Sequence, residues 1–365
     1  MFLALREIRH SPTRFALIMI VVFLVSYLVY FLTGLAYGLA SSYSETVRKW
    51  NTHSIVISED SNKSMLSSRL TQEDVEAVED EISDATRVLL TPVVFDVTDS
   101  EGVESRESAY LFGIDEDAHE APDVVEGSYP AGDNEILLDQ TLANKGFALG
   151  DTLYLVNSDT KWTISGFTSS YRFQAAPALF ITTPQFADAF NYSLMSANGP
   201  IKANALLLNT PPTDAQLDAF ADRKLDVLTP DELVAELPGY SAQTLTFSLM
   251  IGSLIAIISF VLGIFIYVLT LQKLAIFGIM KAQGVRTSYI VLSGAMQTFV
   301  LTGIGVAVGM ALAIFTGVLL SPKVPFAVNP MLFALVSSAF MLFTLIGGLT
   351  PIRTINKIDP IEAIG

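Results

Sequence analysis

The stretch FALIMIVVFLVSYLVYFLTGLAYGLASSYS, residues 15–44, contains no charged side chain. A helix that crosses the hydrocarbon core of a bilayer needs about 20 apolar residues, so this stretch predicts a transmembrane helix. Its apolar core is also far longer than the roughly 7–15 residues of a signal-peptide core. We therefore interpret it as an uncleaved signal anchor, in preference to a cleaved leader.

Three more stretches of the chain are free of charge, namely residues 237–272, 287–322 and 324–352. Each is long enough to cross a bilayer once. The chain is 51% hydrophobic and has a mean hydropathy of +0.48, which is typical of an integral membrane protein. The sequence thus predicts four transmembrane helices, the first of which is separated from the other three by a large polar block.

The predicted fold is membrane α-helical, with one extracellular α+β domain inserted between the first and second spans. The predicted segments are a cytoplasmic amphipathic N-terminus (1–14), transmembrane helix 1 (15–44), the extracellular α+β domain (45–240), transmembrane helix 2 (241–272), a cytoplasmic coupling segment (273–288), transmembrane helix 3 (289–320), a short external loop (321–328), transmembrane helix 4 (329–350) and a cytoplasmic C-terminus (351–365).

Short strands and amphipathic helices alternate within the polar block. Residues 87–97 are β-branched and aliphatic, which predicts a strand. Residues 71–82 predict a helix, in which Thr71 and Asp74 approximate a capping box. Thr183 followed by Pro184 predicts another helix start, with Thr183 as its cap. Further strands are predicted at 53–58, 109–113, 135–138, 152–156, 162–167 and 203–208, and further helices at 213–224 and 230–237.

Charge is distributed unevenly along the chain. Residues 41–240 carry 34 acidic and 12 basic side chains, whereas the remainder carries 3 acidic and 9 basic ones. Eight of those nine basic residues lie before the first span, between the second and third spans, or after the fourth. The positive-inside rule makes these three places cytoplasmic, so both termini are expected in the cytoplasm and the acidic block outside. An acidic exterior argues against nucleic acid as a partner.

The residue types present exclude several kinds of chemistry. The chain has no cysteine, which excludes disulfides, thiolate metal sites and cysteine nucleophiles. It has no Walker lysine loop, nucleophile elbow or zinc signature. The predicted spans contain no Asp, Glu, Lys, Arg or His, which argues against an ion-coupled carrier. We expect no intrinsic cofactor, no metal and no catalytic activity, so that any energy comes from a partner.

Two pairs of glycines have the four-residue spacing that lets membrane helices approach closely. Gly34 and Gly38 lie in the first span, and Gly305 and Gly309 lie in the third. Generic packing between helices explains both pairs. A dimer interface that involves the first span is the sharper interpretation, and both stay open.

The connector between the second and third spans is too apolar for a freely solvated loop. Its apolar side chains predict either contact with a cytoplasmic partner or a position on the membrane surface, and Gly284 is expected to end a short helix there. The candidate contact residues are Lys273, Ile276, Ile279, Met280, Lys281, Gly284 and Arg286.

Several motifs resemble those of the FtsX/MacB-like, or type VII, ABC transporter permeases. The resemblance is carried by the amphipathic segment 5–9, the connector 273–286 and the C-terminal DPIEAIG at 359–365. Four motifs of the external block add to it, at 111–115, 126–127, 134–139 and 149–152. The motifs follow the family's order over the whole chain. The resemblance implies a homodimeric permease in the lipid bilayer, paired with two copies of a separate ABC ATPase that binds ATP and Mg²⁺.

A narrower resemblance is to the permeases of haem exporters of Gram-positive bacteria. It rests on residues 267–273, 277–281 and 33–39 together with the C-terminal motif. It implies a plasma-membrane exporter whose transported ligand is haem, squeezed from a cavity between the two first spans when the ATPases close. Export of an antimicrobial peptide, lipid or lipoprotein is an alternative. A non-transporting signalling subunit, like the division-linked FtsX relatives, is another.

A haem site would need apolar walls and His, Met or Tyr as possible axial ligands. His10 is on the cytoplasmic side, and His53 and His119 lie within the external block, so none of the three is favoured. We therefore place the substrate site where the external domain meets the bilayer. Aromatic preference for that interface, ordinary packing and plain surface exposure are the open alternatives for its residues. The candidate residues are Tyr37, Tyr43, Glu45, Tyr171, Arg172, Tyr240 and Met250.

Overall fold

The computed structural model describes residues 12–98, 104–156, 160–190, 195–196, 199–272, 274–320 and 324–347. The chain divides into two compact units. One unit combines Met1–Leu39 with Gln243–Gly365, and the other is Ala40–Ala242. The predicted segments 5–9 and 359–365 and the residue Lys273 lie outside the described residues.

Nine α-helices occur in the described residues. They are α1 (Pro12–Lys49), α2 (Gln72–Glu81), α3 (Thr183–Ala189), α4 (Asp214–Asp222), α5 (Pro230–Glu236), α6 (Tyr240–Gln272), α7 (Leu274–Ala282), α8 (Thr287–Leu320) and α9 (Pro330–Gly347).

Three of these helices contain stretches long and apolar enough to span a membrane. The stretches are Met19–Lys49 in α1, Tyr240–Val261 in α6 and Phe299–Leu320 in α8. The shorter apolar helix α9 lies where the fourth span is predicted, and at 1.5 Å per residue it is about 27 Å long. The chain is therefore a membrane protein with a domain inserted after its first span.

Side chains of α1, α6, α8 and α9 form the core of the membrane unit. Val22, Tyr30 and Phe340 are fully buried. The Tyr30 hydroxyl lies 2.5 Å from the Ser337 hydroxyl, and Ser26 donates to the backbone oxygen of Gly305 at 3.0 Å. These hydrogen bonds satisfy polar groups that have no water to bond within a bilayer.

The inserted domain is built on one large mixed sheet. Its strands are β1 (Ser54–Ser58), β2 (Thr86–Thr98), β3 (Glu104–Gly113), β4 (Val124–Gly127), β5 (Glu135–Asp139), β6 (Thr152–Tyr154), β7 (Lys161–Thr168), β8 (Arg172–Phe173), β9 (Ala176–Ile181), β12 (Ala205–Leu208) and β13 (Leu225–Leu228), while β10 (Met195–Ser196) and β11 (Gly199–Pro200) pair separately. The main path runs β13-β1-β12-β2-β3-β9-β5-β7-β4, with β6 on β7 and β8 on β9.

Four threonines begin the helices of the domain with capping boxes. Thr71 with Asp74 begins α2, which confirms the predicted box. The predicted cap of α3 is wrong by one residue: Thr182 is the cap and pairs with Gln185, and Thr183 is the first helical residue. Both threonines suit the position, and only the fold decides which one keeps extended backbone angles.

Four strands of the main sheet, namely β4, β8, β9 and β13, were absent from the predicted elements. β9 pairs in parallel with β3 and in antiparallel with β5, and its last four residues are all buried. A strand covered on both faces loses the polar–apolar alternation that marks a half-exposed strand. β13 pairs with β1 at the sheet edge. Its four residues are too few to show a period.

Candidate functional site

The outer end of α1 belongs to the inserted domain, because the compact unit that holds the domain begins at Ala40. Val47 and Trp50 are buried in its hydrophobic core. The Trp50 ring meets Phe112 edge-on, with 6.0 Å between centroids. This end of α1, together with residues 169–175 and the start of α6, forms the base of the domain. The name "base" is used in this sense below.

Two predicted tyrosines lie together at the base. The rings of Tyr43 on α1 and Tyr240 at the start of α6 are 6.4 Å apart between centroids and tilted by 54°. Both residues are half-buried, and Tyr240 packs on the domain core. The pair therefore offers partly accessible aromatic surface, the type of wall that a flat apolar ligand requires.

Charged groups surround a second part of the base. The Glu45 carboxylate accepts a hydrogen bond from the Ser170 hydroxyl at 2.9 Å and lies 3.9 Å from the Lys49 ammonium group. Arg172 lies near enough for its charge to act on Glu45, although it forms no ion pair with any described residue. The Arg172 guanidinium is thus a positive group that an anionic ligand is able to approach.

Tyr171, a predicted substrate-site residue, is a core residue of the domain. It is only 3% exposed, and its ring meets Phe180 edge-on with 5.4 Å between centroids. Burial raises the pKa of the Tyr171 hydroxyl, which disfavours the phenolate form that binds iron best. The Lys49 ammonium group lies 4.2 Å from the centre of the ring. We assign Tyr171 a packing role.

The remaining two predicted substrate residues belong to the membrane unit. Tyr37 is half-buried on α1, and Met250 on α6 is 42% exposed. Exposed apolar side chains are expected on membrane helices, where lipid or another helix covers them.

Lys49, Ser170 and Gln174 were not among the predicted residues. Their role at the base depends on contacts between distant segments, which leave no local signal in the sequence.

The connector forms a short helix, α7, with an apolar surface. Ile276 is 57% exposed and Ile279 is 47% exposed, while Met280 is half-buried. The helix ends as predicted: Gly284 has a φ of +85°, its N–H bonds to Lys281 O at 2.9 Å, and Val285 N bonds to Met280 O at 3.0 Å. This is a Schellman motif. Arg286 follows it and is exposed.

All four predicted glycines contact other segments of the same chain. A Cβ on Gly305 would lie 2.6 Å from Val22, and one on Gly309 would lie 2.1 Å from Ser26, so this pair brings α8 against α1. Gly34 and Gly38 instead face the loop between α8 and α9, where Phe326 and Pro325 lie. Within one chain, the glycine face of α1 is therefore already covered.

Among the described residues, no group of three or more His, Cys, Asp or Glu side chains is arranged to hold a metal ion. The base combines half-buried aromatic rings, one half-buried carboxylate and two cationic side chains. Such a set suits the binding of an amphipathic anion.

Two protein families match this sequence. The MacB-like periplasmic core domain matches residues 15–222, and the FtsX-like permease C-terminal domain matches residues 242–360. Together they cover both the inserted domain and the three later helices.

Curated relatives match over the full length. A protein of Staphylococcus haemolyticus, named hemin transport system permease protein HrtB, is 25% identical over 366 residues, which is 100% of this chain and 99% of that protein. A protein of the same name from Staphylococcus epidermidis is 26% identical over 370 residues, with the same coverage.

Two solved structures also align with part of the chain. The extracellular domain of the ABC-type transporter YknZ from Gram-positive bacteria aligns with 49% of this chain and 100% of its own, at 12% identity and a TM-score of 0.33. The periplasmic region of MacB from Actinobacillus actinomycetemcomitans aligns with 51% of this chain and 92% of its own, at 11% identity and a TM-score of 0.35.

Proposed function

This chain belongs to the family of FtsX-like permeases with a MacB-like core domain, and from that premise we propose that it is the permease subunit of an ABC-type haem exporter. The observation that carries the proposal is the full-length similarity to HrtB proteins of two staphylococci. The alignment with these relatives includes the first span, the external domain and the later helices, so the similarity is not confined to one domain.

In the proposed complex, two copies of this chain pair with two copies of an HrtA-like ABC ATPase in the plasma membrane of a Gram-positive bacterium. Both termini and α7 lie in the cytoplasm. The ATPase binds ATP and Mg²⁺, and this chain is not an enzyme. Ile276 and Ile279 fit this arrangement because they expose apolar surface that a groove of the ATPase would bury.

Haem is the proposed transported ligand, taken from the outer leaflet. The ring would pack against Tyr43 and Tyr240, whose half-buried rings lie side by side. Its two propionates would approach Arg172 and the exposed ammonium group of Lys49. Within the membrane unit, Met250 of α6, which is exposed, is the candidate thioether ligand, and Tyr37 of α1 is a further candidate contact for haem. Glu45 would hold Lys49 in place.

Haem titration of the purified, detergent-solubilised chain tests this proposal. We expect a saturable shift of the Soret band at about one haem per dimer. Met250→Ala is expected to change the position of the band, because it removes an iron ligand. Arg172→Gln is expected to raise the Kd at least fivefold without moving the band, because it removes a charge partner and no ligand.

Tyr154→Phe is the matched control, since Tyr154 is an exposed tyrosine of the same domain in strand β6, apart from the base. It should leave both the Kd and the band unchanged. A titration that matches haem in empty micelles would exclude haem as the ligand. In that case the same complex would be tested for export of peptides or lipids, and for control of an external hydrolase.

A further inference from the structure

Strand β4 lies at one end of the main sheet and is exposed along its whole length. Among the described strands it pairs only with β7, and none of them lies on its other side. All four of its residues, Val124–Gly127, are exposed. The outer side of such a strand carries backbone N–H and C=O groups that are able to pair with another chain. β4 is therefore an open edge of the inserted domain.

Apolar side chains lie together at this edge. Val125 is 54% exposed and Val124 is 37% exposed. Leu149, which is 41% exposed, lies beside the same strand, because a Cβ atom on Gly127 would be 3.0 Å from its Cδ2 atom. Natural edge strands are often protected by Lys or Pro side chains, and β4 contains neither. Exposed aliphatic side chains grouped at an open edge are typical of a surface that a partner covers.

The surroundings of β4 are acidic. Residues 107–144 carry ten acidic side chains and neither Lys nor Arg. Asp123 precedes β4, Glu126 lies within it, and Asp151 follows Leu149 by two residues. All three carboxylates are exposed, and none of them forms an ion pair with a described residue. Their charges favour a cationic partner and repel a second copy of the same acidic strand.

The shape of β4 limits the size of this partner. The strand has only four residues, and its register with β7 shifts between Val124 and Glu126. A bulge of this kind increases the twist of an edge strand and disfavours pairing with a long, flat strand. A short extended segment follows the twist more readily than the edge of a second sheet does.

We propose that the outer edge of β4 binds an extended, cationic peptide segment outside the cell, which joins the sheet as a further strand. Main-chain hydrogen bonds to β4 would hold the segment, as they do in strand addition generally. Its apolar side chains would pack on the three exposed aliphatic residues, and its Lys or Arg side chains would approach the three carboxylates. The inference goes beyond haem export and does not depend on it, since every residue involved lies in the inserted domain.

Fluorescence anisotropy of the full-length chain in phosphatidylcholine nanodiscs tests the proposal. The probe is a fluorescein-labelled peptide, KVKVKVKV, which places Lys on one face and Val on the other when it is extended. EVEVEVEV reverses the charge, and KKKKVVVV keeps the composition without the alternation. We expect both control peptides to bind with a Kd about tenfold higher. Empty nanodiscs give the background, and a probe that shows no saturable binding above it would overturn the proposal.

Val125→Lys places a positive charge in the middle of the edge and should raise the Kd of KVKVKVKV about tenfold. Leu217→Lys is the matched control, because Leu217 is an exposed aliphatic residue of α4 in the same domain, and it should leave the Kd nearly unchanged. Glu126→Gln removes one charge, should raise the Kd less than Val125→Lys does, and serves as the test if Val125→Lys lowers the Tm. Equal effects of Val125→Lys and Leu217→Lys would show that binding follows net charge alone, which would overturn the proposal.

Hydrogen exchange separates strand addition from simple charge attraction. With saturating KVKVKVKV, we expect at least one amide of β4 to exchange about tenfold more slowly, while the amides of α4 keep their rates. Unchanged exchange throughout β4, or equal Kd values for KVKVKVKV and KKKKVVVV, would overturn strand addition. Protection of β4 that rises with chain concentration without peptide would assign the edge to a second copy and would also overturn it. Haem titration decides the proposed function separately, so the two failures are distinguishable.

Discussion

The ring of Phe326 lies against the bare backbone of Gly34. A Cβ atom on Gly34 would be 2.2 Å from Cε2 of this ring, and one on Gly317 of α8 would be 2.3 Å from Cε1. Ala327 N also donates to Gly34 O at 3.1 Å. The loop between α8 and α9 thus inserts one aromatic ring between two helices, at positions where only glycine leaves room.

Gly38→Ala is expected to destabilise the membrane unit. Its Cβ would lie 2.1 Å from Pro325 O, a backbone atom that moves only with the loop. Overpacking of this kind lowers the free energy of unfolding by about 1–3 kcal/mol, which should appear as a lower Tm of the detergent-solubilised chain.

Gly34→Ala should lower the Tm less than Gly38→Ala does, because its Cβ clashes with a side chain and not with backbone. Gly252→Ala is the control: nothing lies within 4 Å of its Cβ, and Ala favours a helix. A Tm loss as large for Gly252→Ala as for Gly38→Ala would contradict this account.

Asn204→Ala is expected to destabilise the inserted domain. Asn204 is 3% exposed, accepts from Leu90 N at 2.8 Å and donates to Ser68 O at 2.9 Å. Each buried backbone group left without a partner costs about 1–3 kcal/mol. The measurement is the unfolding transition of the full chain followed by tryptophan fluorescence. Asn209→Ala serves as the comparison, since the Asn209 side-chain oxygen has no partner among the described residues. Equal losses would show that Asn204 has no special role.

Gly284→Ala is expected to disturb the end of α7. Gly284 has a φ of +85°. This left-handed conformation is about 1–2 kcal/mol higher in free energy for a residue with a Cβ atom than for glycine. Gly284→Asn should be better tolerated, because Asn occupies this conformation more readily. The measurement is ATPase activity of the complex, which requires α7 to keep its shape if it couples the subunits. The prediction fails if the two variants reduce activity equally.

Glu135→Gln is expected to alter how stability depends on pH. The Glu135 carboxylate accepts bonds from the backbone N–H groups of Ala131 and Gly132, each at 2.9 Å, and these hold its pKa below the ordinary value. A lowered folded-state pKa contributes stability above the unfolded pKa of about 4.3, which is lost as pH falls through the folded value.

The variant should therefore have a lower Tm than the wild type at pH 7, and the difference should shrink as the pH approaches 3. Since the side chain is largely solvated, the effect should be small. The exposed Glu73→Gln is the control for the change in net charge, because it removes one carboxylate elsewhere on the same domain. A Tm difference for Glu135→Gln that stays constant from pH 7 to pH 3 would show that the charge of Glu135 is not involved.

Some local features could be predicted because their cause is local. Thr71 and Asp74 are three residues apart, and a capping box needs no more than that. Gly284 ends α7 because only its own backbone must become left-handed. The predicted cap of α3 is the wrong threonine, because Thr182 and Thr183 have the same side chain. Only the backbone conformation after β9 decides that Thr182 keeps extended angles and that Thr183 begins the helix.

The sequence by itself determined the long uncharged runs, the inserted acidic block and the short connector, because hydropathy and charge act on each segment independently of its neighbours. Only the tertiary structure decided that Thr46 bonds to Arg172, 126 residues away, that Tyr171 is buried and that Phe326 fills the glycine face of α1. These depend on strand register and on which helices meet. Many contacts set them together, and no single stretch of sequence contains them.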